Sequence, residues 1–159
     1  MARIPLSTQP ASGQRPHDDA RAALCALAAG HESWALTEYI RRAPAERQPL
    51  LSETLTPADS LVRDDALNSQ LNLGAAFGPA FVTFLAETDG PTAVLNAWEN
   101  PPQTTAHILH PEQYQAGVVM PVITLPDLTE ALGDDWTLVE ENVLGEFMLR
   151  QYLQKWGRG

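Results

Sequence analysis

The sequence has one cysteine, no long hydrophobic run and no cluster of basic residues, and each absence excludes a class of protein. A single cysteine, Cys25, rules out a disulfide within the chain and is typical of a reducing compartment. No stretch approaches the roughly 18 to 20 apolar residues of a membrane-spanning helix, so no membrane insertion is expected. The formal net charge is −10, from 10 basic and 20 acidic residues. Because such a chain repels phosphate groups, nucleic acids are not expected partners.

The first residues also lack the apolar segment of a signal peptide. Residues 1–16 are rich in proline and polar side chains, which predicts a flexible N-terminal tail. As the chain stands it would remain in the cytoplasm, and it would lie outside the cytoplasm only if a leader had been removed. Apolar residues make up 44% of the 159 residues and charged residues 19%, so residues 17–159 are expected to form one domain with one core.

Apolar residues recur at helical spacing along most of the chain, which predicts a mainly α domain of about five or six helices. The helices are expected over residues 18–42, 57–71, 80–87, 91–98, 126–132 and 142–156, with a short turn of helix over 106–109. Residues 45–56 are predicted to form a loop, and residues 72–79 a helix break or helix entry, because both contain prolines or glycines. Residues 118–125 and 136–139 are predicted to be short extended or edge-strand segments. In the first helix, Gly30 predicts close packing against another element, and Cys25 is expected in the core.

Two groups of residues that contain histidine could hold a metal ion, and neither group is complete. His31 and Glu32 start an HExxH-like pattern, which on a helix would hold zinc, but Ala35 stands where the second histidine belongs. We therefore expect His31 to be a partly buried ring beside Trp34 that hydrogen-bonds to a carboxylate or a carbonyl. His107 and His110 lie three residues apart, but the following proline stops their helix. No metal is expected, although a metal role for these pairs stays a minor alternative.

Other catalytic patterns are also incomplete. The serines lack a nucleophile context, and the glycines form neither a dinucleotide-binding nor a phosphate-binding loop, so no cofactor is expected. Glu140, Glu141 and Glu146 could supply paired carboxylates for acid–base chemistry. Carboxylates near a helix start also complement the helix dipole, and that interpretation is preferred here.

Two blocks of the sequence resemble a known family. Asn100-Pro-Pro-Gln-Thr-Thr-Ala-His-Ile-Leu-His-Pro-Glu-Gln-Tyr is the first block. The second combines Leu125-Pro-Asp-Leu, Ala131-Leu-Gly and Glu141-Asn-Val-Leu-Gly-Glu-Phe. Both resemble segments of a bacterial gluzincin-like metalloprotease family, and a looser likeness extends over most of the chain from about residue 18. The resemblance implies a fold similar to the C-terminal helical part of a gluzincin. It also implies that His110, Glu112 and Tyr114 line the former substrate cleft.

The resemblance also implies a lost zinc site. In the family, an HExxH helix is followed by a helix that supplies a glutamate as the third ligand. The matching position here is Ala29, whose methyl group cannot bind a metal, and the HExxH helix would precede residue 18, where this chain has no room for one. The family's chains also usually continue beyond the position of Trp156.

These observations favour a non-catalytic, zinc-less relative of the protease that binds a protein or peptide partner. The candidate cleft residues are His31, Glu32, His110, Glu112, Tyr114 and Glu146. One alternative is a split zinc metalloprotease whose HExxH helix lies on another chain. Another is a small structural subunit of a larger assembly. The sequence does not indicate the oligomeric state.

Overall fold

The computed structural model describes residues 17–55, 66–121, 126, 128–133, 136–137 and 141–157. Within these ranges the chain is mainly helical and has no strand, which confirms the predicted helical class. The predicted tail, residues 1–16, lies outside the described residues. The helices are α1 (Asp18–Arg42), α2 (Gln48–Leu55), α3 (Ala66–Asp89), α4 (Pro91–Glu99), α5 (Thr105–Leu109), α6 (Pro111–Gln115), α7 (Thr129–Leu132) and α8 (Gly145–Trp156).

The longest helices, α1 and α3, pack directly against each other and form the centre of the domain. They approach closely because Gly30 of α1 faces Gly78 of α3. A Cβ atom added at Gly30 would overlap the carbonyl group of Gly78 and would lie 2.8 Å from a methyl group of Val82. The close packing predicted at Gly30 is therefore confirmed. Small residues at such a crossing let two helix backbones come nearer than side chains of ordinary size allow.

The helix break predicted over residues 72–79 is wrong, because α3 continues through Pro79. A proline inside a helix costs about 3 kcal/mol and a glycine about 1 kcal/mol. The helix is supported by burial of Leu73, Phe81 and Val82, which are completely buried in the core. Each such side chain contributes about 1.5–3 kcal/mol. The packing of α3 against α1 therefore outweighs the local preference of the sequence.

Two smaller predictions on the first part of the chain are also wrong. The predicted loop contains α2, in which Pro49 is the second residue, where a helix does not need its N–H group. The side chain of Gln48 donates a hydrogen bond of 2.9 Å to the carbonyl of Ala43 and so covers the end of α1. Cys25 is exposed, because the buried face of α1 passes through the alanines on either side of it.

A buried carboxylate, that of Asp19, joins the beginnings of three helices. Its Oδ1 accepts a hydrogen bond of 3.0 Å from the backbone N–H of Thr105, the first residue of α5. Its backbone N–H donates to the carbonyl of Val143, just before α8, at 3.2 Å. Gly145 starts α8 with a φ of +71°, and a Cβ atom there would overlap the Asp19 carboxylate. The hydroxyl of Thr105 in turn accepts from the N–H of Phe147 at 3.1 Å. These bonds fix α5 and α8 against α1.

The second half of the chain follows the predictions more closely. Thr104 caps α5, and its hydroxyl accepts from the N–H of His107 at 3.4 Å. The segment 118–121 is not helical, as predicted, and neither is 136–137; the rest of both expected extended segments lies outside the described residues. Around α8, Phe147 and Met148 pack on the core, whereas the apolar side chains of Leu144 and Leu153 are exposed. No described helix has the length and apolar composition needed to cross a bilayer.

Candidate functional site

A groove of about 1060 Å³ lies beside α4. It is lined by residues of the start of α1, the end of α3, α4, α5 with the turn before it, α6, the segment 117–121 and residues 141 and 143. We call the segment 117–121 the wall of the groove, and α5 and α6 with the turn before α5 its floor. A volume of this size is at the upper end of the range found for small-molecule pockets, which is about 300–1,000 Å³. The groove can therefore hold a ligand as large as several amino-acid residues.

Two aromatic rings of the floor support the segment 117–121. His107 is 8% exposed, and its Nε2 atom lies 2.9 Å from the carbonyl oxygen of Val118. Because a carbonyl can only accept, Nε2 is the donor, and in the neutral ring Nδ1 is an acceptor. Nδ1 is buried and has no hydrogen-bond partner among the described residues. The ring of Tyr114 makes an edge contact with His107 at a centroid distance of 5.8 Å. This contact and the hydrogen bond hold the groove wall to the core.

Tyr114 also anchors the floor to α4. Its hydroxyl donates a hydrogen bond of 2.7 Å to the carbonyl of Asn100, and its ring packs edge-on against the buried ring of Phe81 at 5.2 Å. Burial raises the pKa of the Tyr114 hydroxyl above its ordinary value. The hydroxyl is therefore protonated at neutral pH and serves as a donor.

The wall, residues 117–121, is not helical, and most of it is exposed. The N–H of Val118 donates to the carbonyl of Gln113 at 3.0 Å, and the side chain of Val119 is 87% exposed. Within the described part of the chain, the backbone groups of Val119 and Met120 have no hydrogen-bond partner. Pro121 follows and has no N–H to donate. Among the described residues, these backbone groups are therefore left without partners, as the outer backbone groups of an edge strand are.

The charged side chains that line the groove are acidic. Asp89 and Glu141 are exposed on its rim, and none of the described lining residues is a lysine or an arginine. Asp89 is the last residue of α3, where no basic side chain offsets the negative end of the helix dipole. Its Oδ2 accepts a hydrogen bond of 2.7 Å from the side chain of Gln115. Asp19 also lines the groove, but its Oδ1 already bonds to a backbone N–H.

The six predicted cleft residues fall into three places, and the structure brings only some of them together. Tyr114 lies in the groove. His110, Glu112 and Glu146 form a separate cluster in which His110 Nε2 lies 3.0 Å from Glu146 and Nδ1 lies 3.7 Å from Glu112. Arg150 forms an ion pair with Glu146. Burial raises the pKa of Glu146, but the hydrogen bonds from His110 and Arg150 outweigh it, and the net effect lowers the pKa below its ordinary value.

His31 and Glu32 lie elsewhere. No hydrogen bond, ion pair or ring contact between described residues connects them to the other four. Trp98 of α4 donates its indole N–H to His31 Nδ1 at 2.9 Å, so the neutral ring carries its proton on Nε2. His31 is partly buried beside Trp34, as predicted, but the expected carboxylate or carbonyl partner is wrong, because an indole takes that place.

Several groove residues were not singled out from the sequence. Asp89 and Val119 stand in no motif, and His107 was considered only as one of a metal-binding pair. The β-branched residues and prolines at 118–125 predict an extended segment, but they do not indicate that this segment lines a groove. In the described ranges, no three His, Cys, Asp or Glu residues are arranged to hold a metal ion.

Comparison of the chain with protein-family models, with curated proteins and with solved structures gave no match.

Proposed function

We propose that this chain is a non-catalytic domain that binds an extended peptide segment of a partner protein in the groove beside α4. The observation that carries the proposal is the backbone of Val119 and Met120 at the groove wall, which has no hydrogen-bond partner among the described residues. An extended peptide can add to such a backbone as a further strand, which gives affinity through main-chain hydrogen bonds. The proposal retains the relationship to a zinc-less gluzincin-like protease, and Tyr114 is the residue of its implied former cleft that lines this groove.

The contacts that hold the wall in place are important for this function. A peptide binds more tightly to a backbone that keeps its position, because ordering a mobile segment on binding costs free energy. The bond between His107 and Val118, together with the contact of Tyr114 with His107, holds the inner end of the wall. At the outer end, the backbone groups of Val119 and Met120 have no hydrogen-bond partner among the described residues. This combination of a fixed inner end and an open outer end favours peptide binding over a purely structural role.

The cluster of His110 and Glu146 fits a structural role better than a catalytic one. Glu146 accepts from both His110 and Arg150, so its carboxylate is already engaged on α8. This ion-pair network connects the residue before α6 to α8. The proposal therefore places binding in the groove and assigns these residues to the support of its floor.

The test is a selection of random displayed peptides on the purified chain, followed by affinity measurements with variants. Thr92 is exposed on α4 and lines the groove, whereas Thr83 is exposed on α3 outside it. We expect Thr92→Trp to weaken the selected peptides by about tenfold or more, which corresponds to about 1.4 kcal/mol. The matched variant Thr83→Trp should bind normally. Peptides that bind both variants equally, or a selection that enriches none, would contradict the proposal.

A further inference from the structure

The groove has a charge pattern that restricts the kind of peptide it can accept. We infer that its ligand is an extended peptide segment carrying a lysine or arginine side chain, which pairs with the carboxylates of Asp89 and Glu141. This inference rests on the proposed peptide-binding function and specifies its partner.

The first observation is the position of Asp89 at the end of α3. The last turn of this helix contains no basic residue, so the carboxylate adds to the negative end of the helix dipole. Its Oδ2 accepts from the neutral side chain of Gln115, and its Oδ1 has no partner within the described residues. A cation in the groove would therefore meet a carboxylate that no positive charge has yet neutralised.

The second observation is that the described lining residues include no lysine or arginine that could compete with a bound cation. Glu141 is exposed on the same groove and forms no ion pair with a described residue. An acidic peptide would meet two like charges at this rim, which is unfavourable and discriminates against such partners. The whole chain, with its net charge of −10, also attracts a basic segment over a longer distance.

The third observation sets the length of the paired strand. Pro121 cannot donate a hydrogen bond, so within the described residues the ladder with the peptide involves mainly Val119 and Met120. Such a short ladder provides little affinity alone. The ion pairs at the rim therefore supply a substantial part of the binding, and we expect affinity to fall as salt is added.

The experiment uses three fluorescent peptides of equal length in which valine alternates with lysine, glutamine or glutamate. Fluorescence anisotropy with the full chain at low salt should show the lysine peptide binding at least about tenfold tighter than the glutamine peptide. The double variant Asp89→Asn/Glu141→Gln should remove this preference. The matched double variant Glu46→Gln/Glu53→Gln makes the same change in net charge at exposed sites outside the groove and should retain it.

The possible outcomes separate this inference from the proposed function. Equal binding of the lysine and glutamine peptides, both lost in Thr92→Trp, would overturn the charge preference and leave peptide binding in place. A lysine preference that persists in Thr92→Trp would show general attraction to an acidic surface and would overturn the inference. If no peptide binds, including those enriched by selection, the proposed function fails as well.

Discussion

Replacement of Gly145 by alanine tests the junction at Asp19, that is, the hydrogen bonds that join the starts of α1, α5 and α8. Its effect on the free energy of unfolding has two parts. The backbone at Gly145 has a φ of +71°, which costs a residue with a side chain about 1–2 kcal/mol. The new methyl group would also overlap the Asp19 carboxylate. Moving that carboxylate breaks its bond to Thr105, and a hydrogen bond to a charged group contributes about 1.5–3 kcal/mol. We therefore expect Gly145→Ala to lower the free energy of unfolding by about 3–5 kcal/mol.

Gly117 provides the control, because it has a similar φ of +66° and no atom lies within 4 Å of an added Cβ. Gly117→Ala should cost only the backbone part, about 1–2 kcal/mol. Urea unfolding followed by circular dichroism gives both values, and their difference measures the overlap at Asp19 alone. If the two variants lose the same free energy, the carboxylate relaxes without cost and the reasoning about the junction is refuted.

Two further predictions concern packing and pH. Gly30→Ala should lower the free energy of unfolding by about 2 kcal/mol or more, measured by urea unfolding, because α1 and α3 must move apart. The control Ala35→Gly, on the exposed face of α1, should cost about 1 kcal/mol. Equal losses in the two variants would contradict the close crossing of the helices. Because the pKa of Glu146 is lowered on folding, its contribution to stability is present above the ordinary value of 4.5 and disappears as the pH falls through the lowered pKa. Urea midpoints measured across this acid range should therefore depend less on pH in Glu146→Gln, and an unchanged profile would refute this assignment.

The helices that could be predicted from the sequence are those with clear ends. The first helix was placed correctly at both ends, because two aspartates begin it and two arginines end it. The turn at Thr104 and the start of α4 at Pro91 also follow from local capping rules. In each case the residues that determine the helix end lie within a few positions of it, so the end can be predicted from the sequence alone.

The failures have a different origin. Continuity of α3 through Gly74, Gly78 and Pro79 depends on α1, whose small residues lie against the glycines. Local propensity cannot contain this information, because the stabilising contacts come from residues more than forty positions away in the sequence. The same holds for the groove, since Asp89 and Glu141 share it only after folding. Of the cleft residues predicted from the sequence, Tyr114 lines the groove in the structure. Its role there stays a prediction.

The junction at Asp19 has a consequence for how the protein is made on the ribosome. The carboxylate near the start of the chain bonds to Thr105, 86 positions later, and Thr105 bonds to Phe147 a further 42 positions on. While α8 is still inside the exit tunnel, the hydroxyl of Thr105 has no N–H from Phe147 to accept. The first helix can therefore form early in synthesis, but the beginning of that helix is completed only when residues 143–147 emerge. Until then the start of the first helix lacks these contacts, and it stays accessible to chaperones and proteases.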